Sequence, residues 1–118
     1  MFCMKKDETV FLEDILAAIR RIEKYLNGVS HQHFLQNDLL QDGVVRRLEI
    51  IGEASRSFSD DFHQRYSHVP WRQIVSLRNR MIHAYFNVNL QIVWEIVQND
   101  LPILKQQVED ILLEERKN

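Results

Sequence analysis

Residues 11–26 read FLEDILAAIRRIEKYL, and this stretch decides the fold. Phe11, Ile15, Ile19, Ile22 and Leu26 recur at the 3.6-residue period of an amphipathic helix, with charged residues between them. The spacing predicts a long helix over residues 8 to 27, opened by Asp7 as a cap and closed at Gly28. The same period runs through almost all of the chain. Residues 30–37 suit one short helical piece. Leu40, Val44, Leu48 and Ile51 mark a second long helix that reaches about Phe58. Gly52 lies inside it, at a cost of about 1 kcal/mol relative to alanine, which points to another backbone passing close by.

Ser59 is the next cap signal. Pro70 suits the first turn of a third helix carrying Trp71, Ile74, Val75, Leu77, Met81 and Ile82. Residues 87–89 read as a loop ending in a cap. Leu90, Val93, Trp94 and Val97 form one face of a short helix. Asn99 or Asp100 then caps a last helix, with Pro102 in its first turn and Leu104, Val108, Ile111 and Leu112 inward. Three glycines and two prolines are too few for the many turns of an all-β fold. The expectation is one all-α domain over residues 1–118, a bundle of four or five helices.

The 45% hydrophobic and 27% charged composition excludes a disordered chain. No apolar run suits a signal peptide or a bilayer span, so the expected location is cytoplasmic, with no membrane partner. Cys3 is the one cysteine, and no Cys/His set has zinc-like spacing, so no metal and no cofactor is expected. The net charge of −2 conceals a segregation. Between Phe62 and Trp94 there is no acid, while Arg65, Arg72, Arg78, Arg80, His63, His68 and His83 all fall there. This asymmetry predicts a locally positive surface suited to a phosphate-bearing partner.

The chemistry concentrates in RNRMIHAYF, residues 78–86. Histidine titrates near neutrality and can move a proton to or from a sugar hydroxyl. Arginine offers a fixed fork of donors to phosphate oxygens and stabilises charge on pentavalent phosphorus. At 100° per residue, Asn79 lies about 40° from His83 around a helix and Arg80 about 60°, but Arg78 about 140°. Spacing alone therefore pairs His83 with Asn79 or Arg80, and these residues are equally compatible with a helix end favoured by the macrodipole. On the second helix Glu49 and Glu53 stand one turn apart, either orienting Arg78 or Arg80 or forming a solvated face. Arg46 and Arg47 either extend a basic cleft or serve surface solubility. Trp71 and Trp94 suit core or dimer contacts, and His31, His33, His63 and His68 are expected to be exposed.

Arg78, His83 and Tyr85 match the R-x4-H-x-Y pattern of the HepT-like toxins of the HEPN superfamily. LEIIGEA (48–54), VPWRQIVSLRNRMIHAYF (69–86) and IVWEIVQNDLPILKQQVE (92–109) resemble three of that family's blocks in order. The resemblance implies a HEPN-like helical bundle that forms a homodimer, with the motifs of two protomers meeting in a cleft. It implies the toxin of a type VII HEPN/MNT toxin–antitoxin pair, a metal-independent endoribonuclease acting on RNA. Arg78 and His83 would be catalytic, with Asn79, Arg80, Glu49 and Glu53 in support. It also implies a cognate antitoxin, a minimal nucleotidyltransferase, which in some members AMPylates the motif tyrosine, here Tyr85. The alternative is a non-catalytic HEPN module that binds a nucleotide or a nucleotidyltransferase partner.

Overall fold

The computed structural model describes residues 7–86 and 89–117, and the backbone alone for residues 83–86. Cys3 and the side chains of His83 and Tyr85 lie outside the described residues. Among those described, the chain is helical with no strand: α1 Thr9–Leu26, α2 His31–Leu35, α3 Asp38–Arg56, α4 Asp60–Arg65, α5 Trp71–Val75, α6 Leu77–Phe86, α7 Leu90–Glu95 and α8 Leu101–Arg116. No helix of the described residues is long and apolar enough to cross a membrane.

The apolar stripe of α1 does what its period predicts. Leu12, Ile15, Ile19 and Ile22 are fully buried, facing Val44, Leu48 and Ile51 of α3. The Asp7 carboxylate accepts from the Thr9 N–H at 3.0 Å and from its hydroxyl at 2.7 Å. These bonds hold the Asp7 carboxyl below the usual carboxylate range, the hydroxyl bond contributing most. Glu8 reaches across the bundle instead, accepting from the Ser59 N–H at 2.6 Å and tying the start of α1 to that of α4. Ser30, Asn37, Ser59 and Asn89 each cap the helix that follows through a side-chain oxygen. Around α4, Phe58 stacks on Phe62 with ring centres 4.2 Å apart, and Trp71 packs on both while donating its indole N–H to the Tyr66 carbonyl at 3.0 Å. The long axis is marked: the extents are 53 × 26 × 26 Å, with a Cα radius of gyration of 15.2 Å.

Three expectations are corrected. Pro70 precedes the helix rather than sitting in its first turn, since helical geometry begins at Trp71. The third helix is divided at Ser76, whose hydroxyl donates to the Gln73 carbonyl at 2.6 Å. The last two helices are not separated by a cap at Asn99 or Asp100. The axis runs on through a wide π turn, Ile96–Asp100, in which the Leu101 N–H bonds back to the Ile96 carbonyl. Pro102 accounts for the wide turn: it donates nothing, and its ring crowds the carbonyl four residues back unless the preceding turn opens.

Candidate active site

The division at Ser76 has a partner on α3. A Cβ built on Gly52 would stand 3.2 Å from the Arg78 nitrogen, 3.2 Å from the Ile74 carbonyl oxygen and 3.3 Å from that of Val75. Gly52 thus lets the backbone at the junction of α5 and α6 lie directly on α3, as the sequence led one to expect. Arg78 follows immediately, in the first turn of α6. The arginine is delivered to the surface of α3 by backbone packing rather than by its own side chain.

From there its guanidinium reaches Glu53, Nη1 to Oε1 at 3.3 Å. Both side chains are about half exposed, at 54% and 50%, so solvent screens the pair and it contributes at most about 1 kcal/mol. A pair this weak orients Arg78 yet releases it readily to a phosphate. Arg78 and Glu53 line a groove of about 500 Å³ with Phe11 and Asp14 of α1 and with Arg46, Glu49, Ile50 and Ala54 of α3. Glu49 therefore faces the same space without an ion pair among the described residues. Arg46 joins the groove, but Arg47 does not line it, and the carboxylates of Asp14, Glu49 and Glu53 keep it from being a basic cleft. Asp14 and Phe11 were not foreseen, because the antiparallel pairing of α1 with α3 that brings them there leaves no mark in either helix's own periodicity.

Arg80 goes elsewhere. It is 200° from Arg78 around α6 and lines a second groove of about 570 Å³ with Leu77, Ile96, Asp100 and Leu101. Asn79 is exposed beside them. The structure thus brings Arg78, Glu53 and Glu49 together and sends Arg80 to a different surface. For His83 and Tyr85 only the helical backbone of α6 is described.

The acid-free stretch is not acid-free in space. Arg65 pairs with Glu115 of α8 at 3.2 Å, as Arg78 does with Glu53. Arg72 and Arg80 are exposed without an ion pair among the described residues. Two histidines expected to be exposed are engaged. His31 stacks on Trp94, ring centres 5.0 Å apart, and His63 shares a 2.9 Å hydrogen bond with the Ser55 carbonyl. Among the described residues no group of three or more His, Cys, Asp or Glu is placed to hold a metal ion.

A family model described as Ribonuclease HepT-like matches residues 15–111. The chain belongs to the HepT-like ribonuclease family. Several curated relatives agree. A protein of Thermococcus cleftensis designated, provisionally, ribonuclease HepT is 39% identical over 108 residues, covering 92% of this chain and 98% of the relative. A protein of Methanocaldococcus jannaschii with a provisional RNase name is 39% identical over 105 residues, covering 89% of this chain and 96% of the relative. A second protein of that organism is named for gamma-glutamylcyclotransferase and provisional RNase. It is 39% identical over 115 residues, but the chain spans only 52% of its length. No solved structure gave a significant match.

Proposed function

We propose that this HepT-like chain is a metal-independent endoribonuclease of the toxin type, with Arg78 and His83 as its catalytic pair. The observation that carries the reading is the placement of Arg78: backbone contact at Gly52 fixes its helix, and its half-exposed guanidinium stands at the rim of an open groove, held only by a screened carboxylate. The relatives' RNase names support the substrate class.

RNA brings its own nucleophile. The 2′-hydroxyl oxygen attacks the adjacent phosphorus while one His83 imidazole takes its proton. The bond from phosphorus to the 5′-oxygen breaks, and that oxygen leaves as a hydroxyl after receiving a proton from a protonated imidazole. The products are a 2′,3′-cyclic phosphate and a 5′-hydroxyl end. Arg78 binds the non-bridging oxygens and stabilises the charge that grows on them. Asn79 orients the imidazole or the phosphate. In a homodimer with facing grooves, the two histidines would supply base and acid together, so the 140° between Arg78 and His83 on one helix would not separate the working groups. Arg80, on the other groove, contacts RNA backbone away from the cut.

The protein would be held inactive by a minimal nucleotidyltransferase antitoxin that transfers AMP from ATP to the Tyr85 hydroxyl oxygen, releasing pyrophosphate. The added phosphate would place negative charge two residues from His83 and repel RNA. The test is induction of the chain alone, beside His83→Ala, with new RNA 3′ ends mapped for cyclic phosphate. Histidine-dependent cyclic ends and growth arrest are expected. Equal cleavage by His83→Ala would overturn the mechanism, and no cleavage from folded, unmodified protein would replace it with a nucleotide-binding module.

A further inference from the structure

On α1 and α3, beyond the groove, two arginines flank one tyrosine. The ring of Tyr25 lies against α3 where Gly43 leaves room: a Cβ at Gly43 would stand 3.2 and 3.3 Å from two atoms of the ring edge. Arg21 stands one turn before Tyr25 on α1 and Arg47 one turn after Gly43 on α3, so the two arginines flank the ring from either helix. Arg21 first, then Arg47, holds that phenol below its usual pKa, in keeping with this placement. Neither arginine makes an ion pair among the described residues, although Arg65, Arg78 and Arg116 all do. A guanidinium carries five donors, so each fork has donors to offer beside the phenol.

The cluster continues the surface of the groove. At 100° per residue, Asp14, Arg21 and Tyr25 fall within about 40° of one another on α1, and so do Gly43, Ile50 and Ala54 on α3. Asp14, Ile50 and Ala54 line the groove. A rise of 1.5 Å per residue sets Arg21 about 10 Å along α1 from Asp14, and Arg47 about 10 Å along α3 from Ala54. The surface therefore has cations in the groove, Arg78 and Arg46, and beyond it, Arg21 with Arg47. The carboxylates of Asp14, Glu49 and Glu53 share the groove with Arg78, where negative charge disfavours phosphates.

We propose that Arg21, Tyr25 and Arg47 form a phosphate subsite for single-stranded RNA, which grips the strand a few nucleotides from the phosphate held by Arg78. The proposal rests on the reading of RNA as substrate. Two guanidinium forks and one hydroxyl suit the oxygens of a phosphodiester, and their distance from Arg78 makes the subsite useful to a strand but not to a dinucleotide.

The test uses the full chain carrying His83→Ala, so that RNA stays intact, and measures fluorescence anisotropy of a 12-nucleotide single-stranded RNA against salt. The arms add Arg21→Ala with Arg47→Ala, Tyr25→Phe, or Arg116→Ala with Lys117→Ala as a control of equal charge. Tyr25→Phe keeps the ring on Gly43, so it reads the hydroxyl without disturbing the packing. Loss of two phosphate contacts should make the slope of log affinity against log salt shallower by about 1.4, at roughly 0.7 per contact for single strands. At moderate salt the double variant should bind about ten-fold more weakly and Tyr25→Phe about two- to five-fold. Dinucleotide binding should not change. A double variant that tracks the control pair, an equal loss for the dinucleotide, or no binding of the 12-mer by the parent would each overturn the subsite. Because the readout is binding, it decides this proposal separately from cleavage.

Discussion

Gly43 and Gly52 make a matched pair of probes within α3. Alanine at an interior helix position gains about 1 kcal/mol over glycine by propensity, and that gain is common to both. The surroundings differ. At position 43 the new methyl meets only the edge of the Tyr25 ring, at 3.2 and 3.3 Å, and a partly buried side chain can give by a few tenths of an ångström. At position 52 it meets three backbone atoms, the Arg78 nitrogen and the carbonyls of Ile74 and Val75, at 3.2 to 3.3 Å. Two packed helix ends must then move, and overpacking of that kind costs about 1–3 kcal/mol. Gly43→Ala is therefore expected to stabilise the protein by up to about 1 kcal/mol. Gly52→Ala should be neutral to about 2 kcal/mol less stable, so the two differ by about 1–3 kcal/mol. At roughly 4 °C per kcal/mol for a domain of this size, their melting temperatures should separate by about 4–12 °C, followed by circular dichroism. Gly52→Ala should also reduce RNA cleavage, because the atom it pushes belongs to Arg78. Equal stabilisation at both positions would refute the argument that backbone contact at Gly52 sets the placement of Arg78.

Glu53→Gln removes the carboxylate that competes with phosphate for Arg78. The exposed pair contributes at most about 1 kcal/mol, so RNA binding to a His83→Ala background should tighten about two- to five-fold with little change in melting temperature. Weaker binding would show that Glu53 serves RNA directly. Tyr66→Phe deletes the hydroxyl that donates to Glu115 and should cost about 1 kcal/mol in a urea melt. Burial first, and Glu115 second, raise the Tyr66 pKa. A raised folded-state pKa means that this contribution is full below the ordinary phenol value near pH 10 and is lost as pH rises through the folded value. Wild-type stability should thus fall on the alkaline side through a phase that Tyr66→Phe lacks; an identical alkaline limb in both proteins would contradict it.

The long helices were legible because burial on one face imposes a period, and α1 and α3 keep that period over five turns. Gly52 was legible for the opposite reason: its cost inside a helix has to be offset by a close neighbour. The division at Ser76 was not readable, since a serine hydroxyl bonding its own helix's carbonyl looks in sequence like any polar surface residue. Nor was the π turn before Pro102, where apolar spacing either side suits two capped helices equally well. At the site, the motif drew attention to Arg78, and Glu53 stood out as a carboxylate one turn from Glu49. The 200° between Arg78 and Arg80 is contained in single-helix geometry, but the arrival of Asp14 at Arg78, and the surface that Arg80 meets, depend on how helices cross, which it does not contain. Charge segregation along the chain misled in part, because Glu53 and Glu115 arrive from distant segments to neutralise arginines within the acid-free stretch.

The elongated outline has a use in scattering. A protomer twice as long as it is wide, at 53 × 26 × 26 Å, gives its pairings very different longest vectors. Two rods laid flank to flank, with their grooves facing, broaden the molecule while its maximum dimension stays close to that of one protomer. Two rods joined tip to tip nearly double that dimension and hold the arginine rims apart. A pair-distance distribution from small-angle X-ray scattering would therefore report, without any nucleic acid present, whether the pairing in solution is one in which two Arg78 side chains share a cleft.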